Sequence, residues 1–291
     1  MSKSFQNRID ECYSRLSKGH KRIADYLQNN YEKAAFMTAV KLGEATNVSE
    51  STVVRFASNL GYDGYPGLQK ALQETVRSRF NSIQRMKAAA SRVGSSDMID
   101  TALSADIEMI KATRESLSRE NFAKSVEAIN SAEKIYILGA RSAASLASFA
   151  AFYMNLVYDN VVLVDTSGTG EIFDKLYRIS ERDVCIAFSF PRYSNQTLNA
   201  LRFAAERNAA VITITDSETS PIAQYATYLL TAKSSMVSFV DSLVAPLSLI
   251  NALIAEAAGE KSEQVYKNLQ SLEDIWEEYR VYRVDSGEES E

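Results

Sequence analysis

Three short stretches of the sequence combine hydroxyl, amide and guanidinium groups at spacings that suit an anionic or hydrogen-bonding partner. They are NVSESTVVRFASNLGYDGY (residues 47–65), GARSAASLA (residues 139–147) and SFPRYSNQT (residues 189–197). Serine, threonine, asparagine and arginine side chains all donate hydrogen bonds to phosphate oxygens. Whether they do so here depends on the helices and strands that carry them.

The first stretch has the pattern of a short helix with one buried face. Its apolar residues recur at i, i+3, i+4 and i+7: Val53, Phe56, Ala57 and Leu60. Ser49 is suited to cap the start of this helix, and Gly61 stands where a helix usually stops. The opposite face carries Ser51, Thr52 and Arg55.

Another short helix is predicted just before it, with Thr38 as its N-cap and Asn47 in the turn that follows. Two short helices joined by a tight turn have the geometry of a helix-turn-helix, whose second helix enters the DNA major groove. Arg55 could pair there with guanine, and serine or threonine hydroxyls could reach phosphates or base edges. The alternative is an amphipathic helix in an ordinary helical domain, which has the same spacing.

The charge distribution favours the DNA interpretation. Residues 1–92 contain 15 Lys and Arg against 8 Asp and Glu, a net charge of +7, whereas residues 93–291 have a net charge of −12. A basic module joined to an acidic body indicates that one end of the chain meets a polyanion.

In the second half of the chain, the periodicity of the apolar residues changes. Five β-rich runs, separated mostly by helical segments, follow one another: KIYILGA, NVVLVDT, DVCIAFSF, AVITITD and YLLTAK. This alternation predicts an α/β doubly wound domain with a five-stranded parallel sheet, behind an all-α N-terminal domain. The predicted boundaries are a helix-turn-helix domain at 1–80, a linker and connecting helix at 81–120, the α/β domain at 121–283, and a disordered acidic tail at 284–291.

The other two stretches each follow a strand and begin a helix, which is where doubly wound sheets bind ligands. Exposed N–H groups, the helix dipole and nearby donors make such a position suitable for a phosphate. The candidate ligand-binding residues are Gly139, Arg141, Ser142, Ser145, Ser189, Arg192, Ser194, Asn195 and Thr197. The alternative is that the serines and threonines are ordinary helix caps.

The first module resembles a known family. The phrase VSESTVVRFASNLGYDGYPGLQKAL is similar to the DNA-binding module of RpiR-type bacterial transcriptional regulators. Those proteins join an N-terminal helix-turn-helix domain to a C-terminal sugar isomerase (SIS) domain. The resemblance implies DNA contact through Ser49, Ser51, Thr52 and Arg55, with Lys70 near the backbone, and Thr38 completes the candidate set.

The second half resembles the SIS domain, a phosphosugar-binding fold. In that family the loop after the third strand often reads Ser-x-Ser-Gly-x-Thr. Here three residues, Pro191, Arg192 and Tyr193, are inserted, and Asn195 stands where glycine is usual. The departure leaves the sugar unidentified.

Together these features predict a ligand-responsive transcriptional regulator, a homodimer or homotetramer that binds double-stranded operator DNA and a phosphorylated sugar effector. The alternative is a phosphosugar isomerase or other SIS enzyme with a helical assembly domain. Isomerisation needs a general base and usually an acid. The only histidine, His20, lies in the first module as an expected surface residue, and although Glu171 or Asp241 could act as a base, the sequence identifies no acid to work with either. Binding without turnover is therefore expected.

Several other classes are disfavoured. No run approaches the roughly 20 apolar residues that span a bilayer, and the N-terminus lacks the apolar core of a signal peptide, so a cytoplasmic protein without membrane contact is expected. The two cysteines, Cys12 and Cys185, lie in different predicted domains. No disulfide, metal site or cofactor is predicted.

Overall fold

A computed structural model describes residues 5–79, 83, 97–164, 166, 168–234 and 240–282. The first part of the chain is helical. Its helices are Phe5–Cys12 (α1), Lys18–Ala34 (α2), Ala39–Thr46 (α3), Glu50–Asn59 (α4) and Gly64–Arg79 (α5).

These five helices share one apolar core. The predicted stripe of α4 lies in it, since Val53, Phe56 and Ala57 are fully buried and Leu60 is 5% exposed. The other helices contribute large side chains to the same cluster: Phe5, Ile9, Ile23, Leu27, Leu42, Leu68 and Leu72. The helical spacing read from the sequence therefore corresponds to real burial.

Helix α2 differs from the sequence prediction. In the sequence, helical spacing is evident only from Lys21 to Leu27, which predicts that NNYEKAAFM connects this helix to the next one, but α2 continues through the segment to Ala34. The helix is kinked at Asn30, whose φ of −136° is not helical and whose side-chain amide donates to Tyr26 O at 3.3 Å. The segment contains neither proline nor glycine, and Ala34 is fully buried, so packing sustains the helix beyond the kink.

The rest of the described chain alternates strands and helices, as predicted. The strands are Ile135–Gly139 (β1), Val161–Val164 (β2), Val184–Phe188 (β3), Ala210–Thr215 (β4) and Tyr228–Thr231 (β5). The helices are Met98–Ser116 (α6), Arg119–Ser131 (α7), Ala144–Val157 (α8), Thr169–Leu176 (α9), Asn195–Ala205 (α10), Val244–Glu260 (α11) and Ser262–Glu278 (α12).

The five strands form one parallel sheet in the order β2-β1-β3-β4-β5, which confirms the predicted fold class. Strands β1 and β3 are buried along their whole length because helices cover both faces. Alternate residues enter opposite cores: Ile135 and Ile137 lie in one apolar cluster, and Tyr136 and Leu138 in the other.

The last two helices differ slightly in extent from their prediction. The sequence predicts a long helix from about Phe239 to Ala258 and a polar amphipathic helix from Ser262 to about Tyr282, whereas α11 begins at Val244 and α12 ends at Glu278. The predicted tail at 284–291 lies outside the described residues, as do residues 81, 82 and 84–96 of the predicted linker and connecting helix. Within the described part of the chain, no helix is both long and apolar enough to cross a membrane.

Candidate functional site

The α3–α4 junction is a tight turn that requires particular residues. Asn47 ends α3 in the left-handed region (φ 54°, ψ 51°), a conformation that asparagine tolerates better than most residues. Gly43 allows the two helices to approach closely, because a Cβ there would lie 2.8 Å from Val48 O. The pair therefore has the compact geometry of a helix-turn-helix.

The start of α4 carries a connected group of hydroxyls. Ser49 is the N-cap, accepting from Thr52 N at 3.3 Å, as predicted. Its Oγ also lies 2.9 Å from Ser51 Oγ and 2.8 Å from Thr52 Oγ1. Ser49 and Ser51 are exposed, so this group faces solvent at the end of the helix that would enter a groove.

The remaining candidate DNA contacts are distributed around this helix. Arg55 is exposed one turn further along α4, where its Nε donates to Ser51 O at 3.2 Å. Thr38 is the N-cap of α3, as predicted, and accepts from Lys41 N at 3.3 Å. Lys70 is exposed on α5.

His20 is not the surface residue that the sequence suggested. It is only 9% exposed, with its ring edge-on to Phe56 at a centroid distance of 5.6 Å. Its Nδ1 lies 3.2 Å from Asn59 Nδ2. Burial, and secondarily the charge of Arg55, lower the pKa of His20 below its usual value. The sequence placed it at the start of a helix but gave no sign that α4 would cover it.

The second site lies at the carboxyl end of the sheet. The chain passes from β1 to β2 on one side and then returns to place β3 on the other side of β1. The loops after β1 and β3 therefore leave the sheet next to each other in opposite directions, which opens a crevice. These are the GARSAASLA and SFPRYSNQT stretches.

The two loops enclose a cleft of about 550 Å³. Five of the predicted ligand-binding residues line it: Arg141, Ser142, Ser189, Arg192 and Ser194. The other predicted residues, Gly139, Ser145, Asn195 and Thr197, are not part of its lining. Asp241, which the sequence suggested only as a possible catalytic base, also lines the cleft.

The backbone of both loops is held in uncommon conformations. A Cβ at Gly139 would lie 2.4 Å from Ala143 O, so only glycine fits that turn. Arg141 and Arg192 have φ values of 59° and 70°, in the left-handed region that costs a non-glycine residue about 1–2 kcal/mol. Strain of this kind tends to accumulate at functional sites.

Hydroxyls near the cleft fall into two groups. Ser194 caps α10 by accepting from Gln196 N at 3.2 Å, and Ser145 donates to Ser142 O at 2.7 Å, so both have local partners. Thr197 is fully buried in the first turn of α10, and its Oγ1 has no partner among the described residues. A buried hydroxyl without a partner is costly unless something else supplies the hydrogen bond.

A half-buried carboxylate, Asp216, supports the loop after β3 and was missed in the sequence. Tyr193 donates from its hydroxyl to Asp216 Oδ1 at 2.8 Å, and Thr215 donates to the same oxygen at 3.2 Å. Burial raises the pKa of Asp216, while the Tyr193 hydrogen bond opposes that rise. Asp216 follows β4 directly, so its position at the end of a central strand was the signal that could have revealed it.

Comparison with known families matches both regions. Residues 3–79 match the helix-turn-helix domain of the rpiR family, and residues 128–256 match the SIS domain. The chain belongs to the RpiR-type family of transcriptional regulators.

Similar proteins include transcriptional regulators. The chain is 23% identical over 287 residues to the HTH-type transcriptional regulator HexR of Escherichia coli, covering 94% of each chain. It is also similar to the crystal structure of the sugar isomerase domain of an RpiR transcription factor from Sphaerobacter thermophilus, with 28% identity and a TM-score of 0.57 over 59% of this chain and 96% of that one. The Vibrio vulnificus NanR protein complexed with ManNAc-6P has the same fold at 22% identity and a TM-score of 0.59, covering 94% of this chain and 97% of that one.

Proposed function

We propose that this RpiR-type regulator binds operator DNA through α4 and that a phosphorylated sugar or sugar derivative in the sheet-end cleft controls its operator affinity. The observation that carries the proposal is the pairing of two built features in one chain. One is a helix-turn-helix with an exposed hydroxyl cluster, and the other is a cleft at the switch point of the sheet that is lined by two arginines and three serines.

On the DNA side, α4 enters the major groove with its hydroxyl cluster leading. Ser49, Ser51 and Thr52 are within reach of base edges or phosphates, and Arg55 extends the donor surface by one turn. Thr38 and Lys70 contact the flanking backbone. The net charge of +7 over residues 1–92 supplies the long-range attraction.

On the ligand side, the phosphate binds between the two loops. The start of α10 offers N–H groups and the positive end of its dipole, Arg141 and Arg192 offer charge, and Ser142, Ser189 and Ser194 offer hydroxyls. Gly139 and Ser145 hold the shape of the first loop, while Asn195 and Thr197 form the first turn of α10. Thr197 is buried behind the cleft lining, so the first turn of α10 must shift on ligand binding for its unpartnered hydroxyl to reach the phosphate.

The bound sugar is retained rather than turned over. The described lining of the cleft contains one carboxylate, Asp241, and no histidine, so a base–acid pair for isomerisation is not assembled there. The NanR structure contains ManNAc-6P, which supports a phosphorylated sugar as the class of ligand for this fold.

Control of DNA binding requires two quaternary arrangements that bind the sugar unequally. We propose a homodimer or homotetramer whose two helix-turn-helix domains bind half-sites about one helical turn, roughly 34–36 Å, apart or a multiple of that distance.

The proposal is tested by selecting operator DNA from a randomised duplex library and measuring its affinity with and without a panel of sugar phosphates. A selected sequence whose affinity changes with one sugar phosphate supports both parts. Conversion of a sugar phosphate to product at a catalytic rate would contradict binding without turnover, and failure to select any sequence would contradict DNA binding.

A further inference from the structure

The outer face of α4 does not stand alone, because a notch separates it from the start of α2. The notch has a volume of about 500 Å³. Its lining comprises Ser17, Gly19 and His20 from the start of α2, and Thr52, Arg55, Ser58 and Asn59 from α4. None of these lining residues is acidic, and Arg55 is a permanent cation.

The start of α2 adds partial positive charge to this notch. Helix α2 is 17 residues long, and Ser17 caps it by accepting from His20 N at 3.3 Å. The N–H groups of Lys18 and Gly19 lie before the first intrahelical hydrogen bond, so they remain available to an acceptor. A Cβ at Gly19 would make only ordinary van der Waals contact, at 3.6 Å, with the side chains of Thr52 and Val48.

His20 lies in the notch with one ring nitrogen bonded and the other without a protein partner among the described residues. It is only 9% exposed, and its Nδ1 lies 3.2 Å from Asn59 Nδ2, while its Nε2 has no hydrogen-bond partner among the described residues. With the Asn59 amide donating to Nδ1, the neutral ring carries its proton on Nε2 and offers a donor. Beside Arg55 the imidazole is therefore less basic than usual, and its Nε2–H has no acceptor among the described residues.

We infer that this notch binds one phosphodiester group of the DNA backbone, that Arg55 serves there as a phosphate contact rather than a base reader, and that His20 takes up a proton when the DNA binds. The inference rests on the proposed DNA-binding function. The ligand is a single anionic phosphodiester beside the groove that α4 enters, contacted by the Arg55 guanidinium, the α2 N–H groups and the imidazolium of His20.

The uptake of a proton by His20 follows from the thermodynamic linkage between its protonation and DNA binding. In the free protein, burial and Arg55 lower the pKa of His20 below 6.5. Of the groups that face the ring, Arg55 on α4 is charged, Asn59 and Phe56 on the same helix are neutral, and Ser17 on α2 is neutral. A phosphate adds a negative charge to this set, stabilises the charged ring and raises its pKa in the complex. Operator affinity is then greatest below the free-state pKa and falls as the pH rises through the pKa of the complex.

The direct test is an NMR titration of the whole protein, free and bound to a duplex selected from a randomised library. Because His20 is the only histidine, its ring C–H signals need no assignment by mutation. The expected result is a pKa that is higher in the complex, with about tenfold tighter binding per subunit at low pH for each pKa unit gained. An equal or lower pKa in the complex would overturn the inference.

A second test separates phosphate contact from base reading. Arg55→Ala should weaken binding to the selected duplex and to its scrambled version by the same factor, and lower the slope of log affinity against log salt by about 0.9 per subunit. A neutral methylphosphonate at the contacted position should weaken the wild type by a larger factor than it weakens Arg55→Ala, because the variant has already lost one of the contacts to that phosphate. Loss confined to the selected sequence would instead make Arg55 a base reader and overturn the assignment.

Variants provide the control for the pH response. His20→Gln should remove the pH dependence of DNA affinity, whereas Lys33→Gln, which removes an exposed charge at the far end of α2, should keep it. An unchanged pH dependence in a folded His20→Gln protein would contradict the proposed proton uptake but not the phosphate contact by Arg55. Failure of the wild type to bind any duplex would overturn the proposed DNA function together with this inference.

Discussion

The two candidate sites of this RpiR-type regulator use similar side chains on very different backbones. At the start of α4, the hydroxyls of Ser49, Ser51 and Thr52 sit on a regular helix and bond to one another. At the cleft, two arginines are held at positive φ and a glycine is required by a contact of 2.4 Å. The candidate DNA-contact surface is therefore formed by side chains at the start of an ordinary helix, whereas the candidate ligand cleft depends on the path of two loops.

The most damaging change should be one in the core beneath α4. Phe56 is fully buried, and Phe56→Ala should cost the helical domain about 3–5 kcal/mol. Because the sheet has its own apolar clusters, DNA binding should be lost while ligand binding at the cleft persists. Calorimetric unfolding and a sugar-phosphate titration of the same variant measure both effects, and simultaneous loss of both functions would show that the two regions are not independent.

At the cleft, the largest loss of ligand affinity is expected from Gly139→Val. The added carbons would collide with Ala143 O, so the turn after β1 must move, and ligand affinity should fall by more than tenfold while DNA binding remains. Gly259→Ala is the matched control, since a Cβ there meets nothing within 4 Å. Isothermal titration calorimetry with the effector found in the sugar-phosphate panel compares the two variants. Equal affinities would show that the turn after β1 does not shape the ligand site.

A smaller change should separate binding from stability. Thr197→Val keeps the shape of the side chain but removes a buried hydroxyl that has no described partner. The free energy of unfolding without ligand should stay the same or rise, while effector binding should weaken by about 1–3 kcal/mol because a hydrogen bond to the phosphate is lost. Denaturant unfolding measures the change in stability, and titration calorimetry measures the change in effector affinity. An unchanged effector affinity would place Thr197 outside the site.

The smallest effect concerns the strained backbone. Arg141→Gly and Arg141→Ala both remove the guanidinium and should weaken effector binding alike. Glycine relieves the positive φ that alanine retains, so the glycine variant should exceed the alanine variant in unfolding free energy by up to about 1 kcal/mol. A more stable alanine variant, measured by denaturant unfolding, would show that this φ carries no strain.

Sequence patterns predicted the fold more completely than they predicted the sites. The stripe at Val53, Phe56 and Ala57, the caps at Thr38 and Ser49 and the five-stranded parallel sheet were all predicted, because spacing and capping chemistry are local. The kinked continuation of α2 was missed because the helical spacing was followed only to Leu27, and the burial of Ala34 that sustains the last turns is a tertiary contact.

The sites depend on contacts between residues far apart in the chain. His20 was taken for a surface residue because its burial depends on Phe56 and Asn59, which lie in a different helix. Likewise, nothing local to SFPRYSNQT shows that Tyr193 would bond to Asp216. Loop sequence gives the donors at a site, and tertiary packing decides which of them face the ligand.

The central claim is that the sheet-end cleft controls the helix-turn-helix. It is tested most directly by measuring the affinity of the whole protein for its selected operator duplex, by fluorescence anisotropy, across a titration of the sugar phosphate that binds it. The prediction is a saturable change in operator affinity with the wild type that is absent in Gly139→Val, although that variant still binds the duplex. An operator affinity that is the same at zero and saturating sugar phosphate would contradict the account.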